Sequence, residues 1–250
     1  AQTPQAVQRA AVERDYRLAL IQATETCKNK DRGNACANWE YGPPSAKWDE
    51  VAPFYNTGRL NRHDGPEDGS LGDRCMTGSN PDLAGFKRIV QTPGGISMYY
   101  DIGQGQGWQR NVVMNGTPHV PSSIRLWWGD SRGHWEGNTL VVDITNFSGK
   151  TSFMGSRENL HLTERWTRLN ADTLEYAFTV EDPTVWTRPW TVKVDLTKQP
   201  DSANRFYTEP RCNEGNYGLP GLLLGARADE VAYAEGRGPH PATRDNTTCD

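Results

Sequence analysis

From residue 86 onward the sequence adopts a period of two, and that period constrains the fold more than any other feature. Leu174, Tyr176, Phe178 and Val180 alternate with Glu175, Ala177, Thr179 and Glu181, the pattern of a strand buried on one face. The same reading predicts strands over 86–91, 96–102, 109–114, 124–128, 139–144, 160–169, 173–180 and 187–196, with a further one at 205–209. Asn170-Ala171-Asp172 and Glu181-Asp182-Pro183 supply turn chemistry between neighbours. Many short consecutive strands predict a mainly β fold, an antiparallel barrel or strongly curved, lipocalin-like sheet, because closure removes exposed edges.

Upstream of the strands the pattern differs. Thr3 suits an N-cap, Pro4 suits the first helical position, and Val7, Ala11, Leu18 and Ile21 recur on one face, so a helix is expected over 4–28. Residues 28–82 are rich in Gly, Pro, Asn and Asp with scattered aromatics, as in an irregular segment that wraps a core. The expected organisation is one compact domain. Residues 1–85 form the helix and a disulfide-pinned segment, 86–210 the barrel core, and 211–250 a loop, a short helix from Leu222 to about Ala234, and a tail.

Cys27, Cys36, Cys75, Cys212 and Cys249 show no CxxC or CxxCH spacing, which favours disulfides in an oxidising compartment over zinc, thioredoxin-like or haem sites. Cys27 with Cys36 is the preferred pair and Cys75 with Cys212 the second, among several connectivities, leaving Cys249 over. The start Ala1-Gln2-Thr3-Pro4, without Met, fits a mature chain after signal removal, and a trimmed chain would begin the same way. A net charge of -4 without a basic run argues against nucleic acid. No apolar run reaches the roughly 18 residues of a membrane span.

Chemistry concentrates in Gly129-Asp130-Ser131-Arg132-Gly133-His134-Trp135-Glu136-Gly137-Asn138, read as a polar entrance to the strand that follows. His134 is a candidate base, Asp130 its orienting carboxylate, Arg132 a stabiliser of negative charge, and Trp135 a ligand contact, with glycines that let a ligand approach. A polar turn bonded to its own backbone is the competing reading. His161 and Arg165 share one strand face with Thr163 and Thr167, while Leu160, Leu162, Glu164 and Trp166 share the other. The first set lines a pocket if it faces inward and is a solvated row if it faces water. His119, held between Pro118 and Pro121, is a further ligand-contact candidate. Trp186, Arg188 and Trp190 on one strand face would make a stacking platform for sugar or aromatic rings, with core packing the alternative. Tyr217, in a Gly-rich loop after Cys212, is a candidate proton donor. His119, His134 and His161 lack HxH or HExxH spacing, so neither a metal nor a cofactor is expected.

The runs 129–147 (with RGHWEGNTLVVDITNF), 156–168 (RENLHLTERWTR from Arg157), 181–190 and 214–220 (EGNYGLP) together resemble a large family of exported bacterial proteins of unknown function, over roughly residues 50–230. The resemblance implies export and a β-rich fold and carries no assigned reaction. Many relatives have His where this chain has Asn213, which alters any site that depends on that position.

The expected function is therefore that of a secreted or periplasmic enzyme, a lyase or hydrolase acting on a carbohydrate or aromatic-glycoside-like small molecule. His134 or His161 would be the base and Arg132 or Arg165 the charge stabiliser, with the tryptophans stacked on the ligand. Such an enzyme would bring His134 and His161 within one substrate's width. A lipocalin-like binding protein without turnover is the first alternative. A structural subunit of an exported assembly, running as a homo-oligomer, is the second.

Overall fold

The computed structural model describes residues 1–12, 65–66, 71, 74–76, 80–82, 86–101, 108–200, 202 and 217–238. Their contacts divide the chain into two units, one of Ala1–Val7 and Thr77–Gly215 and one of Gln8–Met76 and Asn216–Asp250.

The first unit is a curled eight-stranded sheet that forms a half-barrel, with strands in sequence order: β1 (Phe86–Thr92), β2 (Gly95–Asp101), β3 (Trp108–Val113), β4 (Asp130–Glu136), β5 (Thr139–Thr145), β6 (His161–Arg168), β7 (Thr173–Glu181) and β8 (Trp190–Thr197). All neighbours are antiparallel except β3 and β4, which run parallel and meet at Val113 and Arg132. Parallel neighbours need a long return connection, and residues 114–129 provide it. The expected strand over 124–128 is absent. Leu126 makes an isolated bridge to Phe147, just past the end of β5, because this stretch is the end of the return and not a rung.

The strand that replaces it is β4, which coincides with the polar motif read above as the entrance to the next strand. Gly129 sits at φ +70°, and a Cβ there would lie 2.6 Å from the Thr145 carbonyl oxygen and 2.8 Å from Ile144 Cγ2. A Cβ on Gly133 would overlap Met114 Sδ and lie 2.7 Å from Val112 Cγ1. These glycines admit neighbouring protein atoms, where the sequence suggested room for a ligand. Gly137, at φ +58° with open space around it, makes the β4–β5 turn.

The core fills the concave face. Ile96, Met98 and Tyr100 of β2, Val112 of β3, Leu140, Val142 and Ile144 of β5, Leu162 and Trp166 of β6, and Tyr176, Phe178 and Val180 of β7 form one cluster, which Trp128 and Phe147 join from the connections. Within it lies a charged pair that spans the interior from β3 to β6. Arg110 Nη2 donates to Glu164 Oε2 at 2.7 Å and to the Tyr100 hydroxyl at 2.8 Å. Glu164 also accepts from the Tyr176 hydroxyl at 2.8 Å and from Trp166 Nε1 at 3.2 Å. Burial opposes the charge on Arg110, but the attraction and hydrogen bond of Glu164 outweigh it and raise the guanidinium pKa above its ordinary value. Burial likewise pushes both tyrosine hydroxyls up, with the Glu164 charge adding to the effect.

At the N-terminus α1 covers residues 4–12 of the expected 4–28, and 13–28 lie outside the described residues. Thr3 caps it as its position suggested, with Oγ1 accepting from the Ala6 N–H at 3.2 Å. Ala6 is the buried position, whereas Val7 is exposed. The first residues also bond to the turn before β8, with Thr3 N–H donating to the Val185 carbonyl at 2.8 Å and Thr187 N–H to that of Ala1 at 3.0 Å. This turn delays β8, which begins at Trp190 and not at residue 187.

In the second unit, α2 (Gly218–Ala234) starts a turn earlier than Leu222, with Pro220 in its first turn, where a missing N–H costs nothing. Cys75, also in this unit, is disulfide-bonded. The other four cysteines, Asn213 and the strand expected at 205–209 lie outside the described residues.

Candidate functional site

Alternation sends Asp130, Arg132, His134 and Glu136 of β4 to the convex face, together with Asp143 of β5, His161 and Arg165 of β6 and Glu181 of β7. The register aligns Arg132 with Asp143 and Thr163, and His161 with Glu181. The return connection 114–129 brings His119 to the same face. Its path is fixed at Val120, whose N–H donates to Asp130 Oδ2 at 3.1 Å and whose carbonyl accepts from Asn146 Nδ2 at 2.8 Å. Asn146 holds φ +59° at the end of β5, a conformation that asparagine tolerates better than most residues. Its buried amide is thus a structural clamp.

Asp130 anchors the cluster. It is buried and accepts from Arg132 Nε at 2.8 Å, Arg132 Nη2 at 3.0 Å and His119 Nδ1 at 2.8 Å. Burial alone would raise its pKa, but the hydrogen bonds from Arg132, His119 and Val120 prevail and hold the carboxyl below its ordinary range. Arg132 spends its third nitrogen, Nη1, on Thr117 Oγ1 at 2.7 Å. Both ends of this guanidinium are therefore occupied, so it positions Asp130 and has little left for a developing oxyanion.

Beyond Asp130 the ionic chain continues. His119 Nε2 lies 3.3 Å from Asp143 Oδ1, His161 Nε2 lies 3.0 Å from the same oxygen, and His161 Nδ1 lies 2.9 Å from Glu181 Oε2. The two rings are half-exposed, at 27% and 37% of their side-chain surface. An ionised carboxylate can only accept a hydrogen bond. His119 Nδ1 is hydrogen-bonded to Asp130 and His161 Nε2 to Asp143, while His119 Nε2 and His161 Nδ1 lie close to Asp143 and Glu181 as ionic contacts.

The remaining candidates sort by place. His134 and Arg165 join Glu136 farther along the same face, at 3.3 and 2.7 Å, and all three are exposed. The Arg165 and His134 hydrogen bonds lower the Glu136 pKa. His134 stands four residues along β4 from Asp130, about 13 Å at the rise of a strand, and no contact links it to His161. The expected convergence of His134 and His161 is thus replaced by that of His119 and His161. Both His161 and Arg165 face outward, while the inward row carries Glu164.

Trp135 lies on the opposite side of β4 near the strand end, and Tyr217 is exposed in the second unit at the start of α2. Trp186 and Trp190 do meet, with ring centroids 5.1 Å apart, but as packing. Trp186 Nε1 donates to Ser156 Oγ at 3.0 Å, and Trp190 stacks on Phe153. Trp186 precedes β8 and Arg188 is exposed in the turn between them, so the three share no strand face.

Asp143 is the member that sequence reasoning missed, and Glu181 the one it read as turn chemistry with Asp182 and Pro183. A lone carboxylate in Val141-Val142-Asp143-Ile144 is the signal for the first, and the hairpin register opposite His161 is the signal for the second. Among the described residues no three His, Cys, Asp or Glu side chains are arranged to hold a metal ion, and no helix is long and apolar enough to cross a membrane. No family model, curated protein or solved structure matches the chain.

Proposed function

We propose that this chain is an exported enzyme of hydrolase or lyase type, acting on a carbohydrate or aromatic-glycoside-like molecule bound at the convex-face cluster. The observation that carries the reading is the pair of imidazoles whose Nε2 atoms approach Asp143 Oδ1 at 3.3 and 3.0 Å, with Asp130 hydrogen-bonded to His119 Nδ1 and Glu181 2.9 Å from His161 Nδ1. Imidazole suits proton exchange near neutrality. A substrate that displaces Asp143 would meet one Nε2 able to accept a proton and another able to donate one to a departing oxygen. Asp130, hydrogen-bonded to His119 Nδ1, leaves Nε2 of that ring to react, as the orienting carboxylate does in an Asp–His pair. Arg132 positions Asp130. The disulfide at Cys75 suits an oxidising compartment.

The test is release of nitrophenol from a panel of nitrophenyl glycosides and glycuronides by the full chain and by His119→Gln, His161→Gln and His134→Gln. Loss of a general acid or base lowers turnover about 10²- to 10⁴-fold, so the first two variants should fall by that factor and the third should match the parent. No release from any member of the panel, or an equal loss in His134→Gln, would refute the assignment.

A further inference from the structure

The return connection after β3 carries a reactive pair that the convex cluster does not use. Asn115-Gly116 is the single Asn-Gly step in the sequence, and residues 115–118 are exposed. Asparagine is a thermolabile side chain, because the main-chain nitrogen of the next residue can attack its amide carbon, and glycine is the neighbour that obstructs the attack least. A Cβ built on Gly116 would meet nothing within 4 Å, and its backbone stands at φ +74°. Among the described residues no hydrogen bond occupies the Gly116 N–H.

The local hydrogen bonds prepare the amide for this attack. Asn115 Oδ1 accepts from the Thr117 N–H at 3.1 Å and from Thr117 Oγ1 at 2.7 Å. A main-chain N–H can only donate, which fixes the atom facing it as the amide oxygen. The ring closed by the first bond contains both Asn115 Cγ and the Gly116 nitrogen, so the turn keeps the electrophile and its attacker within one closed loop. The second bond draws on a cation, since Thr117 Oγ1 itself accepts from Arg132 Nη1 at 2.7 Å. Hydrogen bonds in such a chain polarise one another. Asn170 supplies the comparison. Its Oδ1 accepts from the Asp172 N–H at 2.9 Å in the same kind of turn, with Ala171 in the glycine position and an acid where Thr117 has its hydroxyl.

We propose that Asn115-Gly116 is a self-modification site, at which Asn115 deamidates in the folded chain. The Gly116 nitrogen bonds to Asn115 Cγ, negative charge gathers on Oδ1 between the two Thr117 donors as in an oxyanion hole, and the side-chain nitrogen leaves as ammonia with the proton that Gly116 gives up. Water then adds across either carbonyl–nitrogen bond of the cyclic imide. The products are aspartate, or isoaspartate with the main chain rerouted through the side chain, and the balance is one water consumed and one ammonia released. Each product carries a new negative charge beside Thr117, two hydrogen bonds from the guanidinium that holds Asp130. The edge of the convex cluster thus alters with the age of the chain.

The test incubates the full chain at mildly alkaline pH in heavy-oxygen water and reads the tryptic peptides that contain positions 115 and 170 by mass spectrometry. This readout does not depend on whether the convex cluster turns over a substrate. Heavy oxygen should enter at position 115 of the folded chain well before it enters at position 170. Thr117→Val, which keeps the shape and removes the hydroxyl, should slow the reaction about fivefold, the factor for one ordinary hydrogen bond, and Thr117→Ser should restore it. In urea, where the donors are no longer held in place, Thr117→Val and the parent should react alike. Circular dichroism checks that each variant is folded. No incorporation at position 115, equal rates at 115 and 170, an unchanged rate in folded Thr117→Val, no recovery in Thr117→Ser, or a slowing that persists in urea would overturn the proposal.

Discussion

Replacing Glu164 by Leu should be among the most destabilising single changes available to the sheet. Glu164 is fully buried and accepts from Arg110, Tyr176 and Trp166 at 2.7, 2.8 and 3.2 Å. Removing it leaves the buried Arg110 guanidinium uncompensated, a change that typically costs about 3–5 kcal/mol. The orphaned Tyr176 hydroxyl and Trp166 N–H fall within the same penalty. For a chain of this size each kcal/mol shifts the melting temperature by about 2–4 °C, so a loss of about 6–20 °C is expected. The double variant Arg110→Leu, Glu164→Leu removes both charges. It should recover most of the loss, because a buried pair is roughly neutral against apolar replacements of similar volume. Urea unfolding followed by tryptophan fluorescence measures all three proteins, with Trp166, stacked on Tyr176 at 4.0 Å, as a local reporter. A cost below about 1 kcal/mol for the single variant, or a double variant less stable than the single one, would refute the reasoning.

Two further expectations concern β4 and its anchor. Gly129→Ala meets both a left-handed backbone and the Thr145 carbonyl at 2.6 Å, whereas Gly137→Ala meets only the backbone conformation. Thermal melts should therefore show Gly137→Ala losing about 1 kcal/mol and Gly129→Ala losing clearly more, and equal losses would contradict the close packing at β4. Asp130, with its folded pKa held down, contributes stability that is whole above its unfolded value of about 4 and vanishes as the pH falls through the folded one. Asp130→Asn should thus melt below the parent at pH 7, with the gap narrowing on acidification; a gap that stays constant from neutral pH to strong acid would count against this account.

Much of the sheet was legible because β6, β7 and β8 alternate cleanly between turn residues. β4 was not. Its concave positions are Ser131, Gly133 and Trp135, so the apolar beat that marks a strand is missing. Gly133 is small because Met114 and Val112 press against it, and a packing glycine reads in sequence like a loop glycine. The site was half legible for a related reason. His119, Asp130, Arg132 and His161 stood out as chemically able groups, but their grouping depends on a parallel crossing that returns residues 114–129 over the convex face. No local pattern announces such a crossing. Glu164 was grouped with Leu162 and Trp166 on one face of its strand, with the inward face left open, and its partner Arg110 lies 54 residues away, beyond the reach of any periodicity.

The parallel seam between β3 and β4 has a consequence for cooperativity. Backbone pairing there is confined to Val113 and Arg132, whereas every other neighbour is joined by a full ladder. By its main chain alone, the sheet would behave as a three-stranded flap beside a five-stranded slab, each free to open at its own free energy. The bond from Arg110 in the flap to Glu164 in the slab couples them through side chains. Whether the eight strands melt as one body or as two is thus decided in the core, by the side chains of β2 and β3 that pack with β5, β6 and β7 and by the ion pair among them, at a place where the hydrogen-bond ladder is nearly interrupted.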